Sequence, residues 1–216
     1  MPLTLYYHPL SSFCWKALIA LYEVQIPFAP RQVNLSDPAD KAVFQAVWPL
    51  AKFPVLTDES RNETVPESTI VVEYLAERFP SARGLVPTDP ESARAVRLKD
   101  RLIDNYIHLP CQQVVAERLR PADRKDPFGA QQARDQIRRG YDLIVPMIEG
   151  SWAMGEAFTL ADCAAFPALF YADYAVSLDP WPALRAYLAR LKARPAIARV
   201  LAEAEPYFQY FPLKDG

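Results

Sequence analysis

Strand-like runs occupy only the first third of this chain, and that asymmetry limits the folds open to it. Up to about Pro80, short apolar runs alternate with helical patterns; beyond it no strand pattern recurs. Leu3-Thr4-Leu5-Tyr6-Tyr7 reads as a strand, Phe13 to Tyr22 as a helix, and Phe28 to Val33 as a strand able to lie parallel to the first. A β-α-β unit follows. Lys41 to Val47 predicts a short helix. Pro54-Val55-Leu56-Thr57 and Thr64-Val65, joined by a polar turn at Asp58 to Asn62, predict a hairpin. Ser68 to Phe79 has the spacing of an amphipathic helix, with Ile70, Val71, Tyr74 and Leu75 on one face. The expectation for residues 1–80 is an α/β domain built on a mixed four-stranded sheet.

Pro87, Pro90 and Gly84 give residues 81–91 the composition of a linker. From 92 to 216 the pattern is all-α. Ala95, Leu98, Leu102, Tyr106 and Leu109 fall three and four apart, so Ser92 to Leu119 predicts one long helix that Pro110 should kink. Residues 130–148, 160–176, 182–192 and 196–204 supply further helices, with kinks expected at Pro146 and Pro167. The chain holds 21 Pro against 6 Gly, so its punctuation is largely proline.

The formal net charge of −2, with 51% hydrophobic and 23% charged residues, excludes a disordered chain and a strongly basic nucleic-acid binder. Cys14, Cys111 and Cys163 form neither a disulfide framework nor a zinc-ligand spacing, so no metal is implied. No apolar run approaches the roughly 18 residues of a membrane span, and the N-terminus lacks a signal-peptide pattern. These features predict a cytoplasmic protein with neither nucleic acid nor membrane as partner.

Three stretches carry chemistry. In His8-Pro9-Leu10-Ser11-Ser12-Phe13-Cys14-Trp15-Lys16, two hydroxyls stand at a helix start, where they can cap backbone N–H groups or join them in holding an anion. Ser11-x-x-Cys14 takes the place of the Cys-x-x-Cys motif of a thioredoxin-like unit, with serine replacing the nucleophile. Such a site forms no internal disulfide, but it can hydrogen-bond a thiolate brought by a substrate. Cys14 is either buried packing or a nucleophile, and His108 either a packing residue or a base. In Lys52-Phe53-Pro54-Val55-Leu56, Pro54 is a plain strand start or a cis-proline that turns the Phe53 backbone toward an added peptide strand, with Lys52 beside it. In Val65-Pro66-Glu67-Ser68, Ser68 can cap a helix or help form an anion site, and Glu67 could take an ammonium group.

Together these stretches fit a small peptide bearing a thiol, carboxylates and an amine, and the chain resembles a serine-type, bacterial-like cytosolic glutathione transferase over essentially its whole length. The resemblance rests on Ser11 to Cys14, on Lys-Phe-Pro-Val-Leu at 52–56, on Pro66-Glu67-Ser68 with the helix to Pro80, and on Phe158-Thr159-Leu160-Ala161-Asp162, a capping box assigned to structure. It implies a thioredoxin-like first domain, a helical-bundle second domain, glutathione as co-substrate without other cofactor, a small hydrophobic electrophile and a homodimer. Ser11 would stabilise the glutathione thiolate, with Ser12 as the fallback and Tyr6 or Tyr7 ranked below. Glu67 and Ser68 would hold the γ-glutamyl end, Phe53 and Pro54 the cysteinyl unit, and Lys52 the glycyl carboxylate. Leu10, Tyr106, Ile107 and Cys111 would line the electrophile pocket, closed by the tail around Phe208. A glutathione-dependent peroxidase or reductase, an isomerase and a non-enzymatic protein-binding scaffold are the alternatives. Maleylacetoacetate isomerases resemble Ser-Ser-Cys followed by an arginine-rich turn. Here Phe13 follows Ser11-Ser12 and Lys16 is the only base, which counts against isomerase activity.

Overall fold

A computed structural model describes residues 2–148 and 150–211. The element order is β1 (Leu3–Tyr7), α1 (Ser12–Glu23), β2 (Ala29–Gln32), α2 (Pro38–Val47), β3 (Val55–Asp58), β4 (Glu63–Pro66) and α3 (Ser68–Arg78). The strands form one sheet in the order β2-β1-β3-β4, with β1 parallel to β2 and antiparallel to β3, and β3 antiparallel to β4. Alternation along the strands divides the sheet's two faces. Leu3, Leu5, Leu56 and Val65 join the main core with α1 and α3, whereas Val33 and Val55 meet Phe44 of α2 on the opposite side.

Among the described residues that follow, the long elements are helices, α4 (Pro90–Ile103), α5 (Leu109–Leu119), α6 (Pro127–Ile144), α7 (Leu160–Ala175), α8 (Pro182–Lys192) and α9 (Pro195–Ala204), with two isolated β-bridges at 152–157. The long helix expected over 92–119 is instead two helices joined by a π-helical turn, Asp104–His108. Pro110 accounts for it. It offers no N–H to the Tyr106 carbonyl and its ring crowds that carbonyl, so the turn before it widens. Leu109 N–H accordingly reaches back five residues to the Asp104 carbonyl. Pro146 stands in a terminal 3-10 turn, Val145–Met147, rather than at a kink, and Pro167 lies within an unbroken α7.

The 81–91 stretch is packed rather than loose: Ala82, Leu85 and Val86 are buried, and the Leu85 carbonyl accepts from Leu160 N–H at 2.9 Å. At that junction Thr159 and Asp162 form the expected capping box, whose carboxylate also accepts from Ala153 N–H at 2.8 Å and Tyr187 Oη at 2.5 Å. Helix α1 is buried at every residue from Cys14 to Leu21. It packs on the sheet side against α3 and on the other against α7 and α9, so it belongs to both halves of the core. No helix among the described residues is long and apolar enough to cross a membrane.

Candidate functional site

Strand register brings three loops to one end of the sheet. Tyr6 pairs with Val55, and Val55 with Pro66, so the segments leaving β1, entering β3 and leaving β4 are neighbours. These are residues 8–11, 51–54 and 67–68. His8 stacks on Phe53 with ring centroids 5.9 Å apart, which closes the first loop onto the second. The Phe53–Pro54 bond is cis, and neither the N–H nor the C=O of Phe53 has a partner among the described residues. Lys52 is exposed beside them.

Two helix N-termini open at this end. Ser11 is the N-cap of α1, its Oγ accepting from Cys14 N–H at 3.4 Å and lying beside the Cys14 sulfur. The N–H groups of Ser12 and Phe13 have no partner among the described residues. Glu67 precedes α3 with φ 71°, a backbone region that only glycine enters freely, and no side chain caps the helix. The N–H groups of Ser68, Thr69 and Ile70 are therefore open. Phe13, Glu67 and Ser68 line one cleft of about 390 Å³, completed by Asp100, Arg101 and Asn105 from the helical half.

Behind the cleft lies a buried polar network. Lys16 is fully enclosed, with Nζ 2.8 Å from Thr69 Oγ1 and from Asp104 Oδ2, and it also pairs with Asp100. Arg101 reaches the same two aspartates. Burial alone would raise the Asp104 pKa, but His108 and Lys16 outweigh it and hold the carboxyl well below its usual range. His108, also fully buried, has Nε2 2.6 Å from Ser12 Oγ, which Gln112 Nε2 meets at 3.0 Å. Phe13 lies over the imidazole with centroids 3.9 Å apart. Burial lowers the His108 pKa, so the ring is neutral at neutral pH.

An uncapped helix start next to an exposed backbone edge, facing a second helix start with a hydroxyl, can hold a short peptide carrying a carboxylate, an ammonium and a thiol. Comparison with known proteins identifies the family. Residues 5–83 match the family described as "Glutathione S-transferase, N-terminal domain", and residues 113–190 match "Glutathione S-transferase, C-terminal domain". The chain belongs to the glutathione S-transferase family. Among curated relatives, maleylacetoacetate isomerase maiA of Aspergillus fumigatus is 30% identical over 94% of this chain and 91% of its own length. A probable maleylacetoacetate isomerase of Vibrio cholerae is 27% identical over 95% and 98%. Among solved structures, a glutathione S-transferase from Methylobacillus flagellatus with GSH bound superposes with a TM-score of 0.82. It is 27% identical and covers 92% of this chain and 98% of that one.

Within this member of the family, the residues expected at a glutathione site meet at one end of the sheet, whereas those expected on an electrophile wall do not meet. Ile107 and Cys111 are fully enclosed in the core because they lie on the inner face of the π-turn and α5, so they line no cavity. Tyr106 is exposed, Leu10 is fixed through its carbonyl to Tyr171 Oη at 2.5 Å, and Phe208 packs against Phe170. A cavity of about 260 Å³ does occur under the tail, lined by Phe170, Tyr174, Phe208 and Phe211. Tyr6 turns to Phe44 on the α2 side of the sheet, and burial raises the pKa of Tyr7 on the other. Burial pushes the Cys14 and Cys111 thiols up to about 12, which leaves both unreactive at neutral pH. Sequence reasoning missed Lys16, Asp100, Asp104 and Gln112. Asp100, Asp104, His108 and Gln112 recur every four residues, a polar stripe that marks one helical face turned toward Lys16 and Ser12.

Proposed function

We propose that the chain binds glutathione across the starts of α1 and α3 and that Ser11 stabilises its thiolate for attack on a small hydrophobic electrophile. The observation that carries this reading is the convergence of Ser11, the unpaired Phe53 backbone and Glu67-Ser68 at one end of the sheet. A hydroxyl donating to a thiolate contributes roughly 1.5–3 kcal/mol, which lowers the thiol pKa by about one to two units. The positive end of α1 adds to that. Catalysis then rests on approximation and thiolate stabilisation. The γ-glutamyl carboxylate would meet the open N–H groups of α3 and the ammonium would meet Glu67. Lys52 would face the glycyl carboxylate. A homodimer belongs to the same reading, and exposed Ile70 of α3 and Leu98 of α4 offer apolar surface for it.

Isomerisation is a second reading, favoured by the names of the relatives at 27–30% identity. Both reactions begin when the thiolate adds to an activated carbon. In transfer the C–S bond persists; in isomerisation it breaks after rotation and glutathione returns. Lys16, the base nearest the α1 start, is committed to Asp100 and Asp104, so it is not available to a substrate carboxylate. That supports transfer to an uncharged electrophile. Calorimetry with glutathione, followed by turnover on an electrophile panel and on a cis-configured keto-dicarboxylate, separates the readings. Glutathione consumed one for one with product supports transfer, and unchanged glutathione supports isomerisation. No binding at millimolar glutathione refutes both and leaves the scaffold.

A further inference from the structure

We propose that His108, backed by Asp104 and Gln112, is a positioning residue that keeps the Ser12 hydroxyl turned inward. Ser11 is thereby left as the hydroxyl at the α1 start with a proton to give, an assignment that rests on the glutathione-dependent reading above. The argument begins with two orphans. His108 Nδ1 and Asp104 Oδ1 are both buried and have no hydrogen-bond partner among the described residues other than each other, at 3.5 Å. An ionised carboxylate facing Nδ1 selects the tautomer that carries its hydrogen there. Nε2 is then an acceptor, and the group 2.6 Å from it is Ser12 Oγ, which must donate. Gln112 Nε2 donates to the same oxygen at 3.0 Å. The single Ser12 hydrogen is thus directed into the protein, and Ser12 cannot share the task of stabilising a thiolate.

The arrangement also joins the two proposed subsites. Asp104 contacts Lys16 of α1, and Lys16 contacts Thr69 in the first turn of α3. The thiol end and the γ-glutamyl end of the site are therefore set by one buried network anchored in the π-turn. Charged groups facing His108 are Asp104 and Asp100 on its own helical run and Lys16 on α1; Phe13 and Gln112 supply uncharged walls. Protonation of His108 would make Nε2 a donor and force the Ser12 hydrogen to turn away, disturbing the α1 start.

The test compares the full-length wild type with S12A, H108N, H108Q and S12A/H108N. Expected for H108N is a fall in kcat of about ten- to a hundredfold, as for a small misplacement of reacting groups. The glutathione Kd should stay within about twofold, as the tertiary fold is not altered at the binding loops. H108Q, whose amide oxygen can reach the Nε2 position, should recover much of kcat. S12A should lose about as much as H108N, and the double variant no more than either, because one unit is being removed. In H108N the acid limb of the kcat–pH profile should reduce to the single ionisation of the bound thiol, where the wild type shows a second one, and the ultraviolet band of the bound thiolate should shift. Folded H108N and S12A proteins with unchanged kcat, pH profile and thiolate band overturn the proposal, as does an additive double variant. Should H108N fail to fold, S12A and H108Q carry the same comparison. A wild type that binds no glutathione refutes the functional reading itself, a result distinct from one that turns over and is indifferent to His108.

Discussion

Ser11 and Ser12 present adjacent hydroxyls, but only one has a proton to give. Ser12 spends its hydrogen on His108, whereas Ser11 Oγ accepts from Cys14 N–H and keeps its own hydrogen beside the Cys14 sulfur, from which a bound thiolate can draw it. Ser11→Ala should therefore raise the pKa of bound glutathione by about one to two units. The thiolate band, followed by pH titration of the complex, would show this. At Glu67 the backbone is held at φ 71°, which costs on the order of 1–3 kcal/mol for a residue with a Cβ. Glu67→Gly should raise the thermal midpoint by relieving that strain while weakening glutathione binding, measured by melting and calorimetry on the same sample. The candidate hydroxyl was legible because a serine before a helix acts locally. His108 was not, since its role depends on a residue 96 positions away meeting it inside the protein.

Helix-scale features follow the prolines, with departures at Pro110, Pro146 and Pro167. Pro110 does not bend one long helix; it sits in the first turn of α5, after a π-turn that places Asp104 and His108 toward α1. Gly140 of α6 packs against that turn, and a Cβ there would lie 2.5 Å from the Tyr106 carbonyl oxygen. Gly140→Ala should destabilise the protein by about 2 kcal/mol or more, since a backbone carbonyl must yield. Urea denaturation would read it. The capping box at the start of α7 was readable from Thr159 and Asp162, three apart. Its ties to Ala153 N–H and Tyr187 Oη were not, because they bridge segments that no local pattern links. Asp162→Ala should cost about 3 kcal/mol, as several buried donors lose their acceptor together.

On the scale of the whole molecule, α1 unites the two halves. A fragment of residues 1–80 should remain unfolded by circular dichroism, because the α1 face that meets α7 and α9 would be left in water. Stability should also fall with acid in a particular window. The chain has two histidines, and burial lowers the pKa of both below the usual 6.5. Below about pH 6.5 the unfolded chain takes up protons that the folded one refuses, so stability drops as pH falls through that range. For fully enclosed His108 the limiting slope is about 1.4 kcal/mol per pH unit. Denaturant midpoints at pH 7.5, 6.5 and 5.5 should show the slope in the wild type and less of it in His108→Gln.

The sharing of α1 also sets a schedule for synthesis. Helix α1 ends at Glu23, yet the α7 face that covers it begins only at Leu160. At about 5–20 residues per second, a ribosome would take roughly seven to thirty seconds to make the intervening chain. For that interval the Trp15 side of the helix lacks the α7 aromatic face that covers it in the folded protein, and its apolar surface stands open.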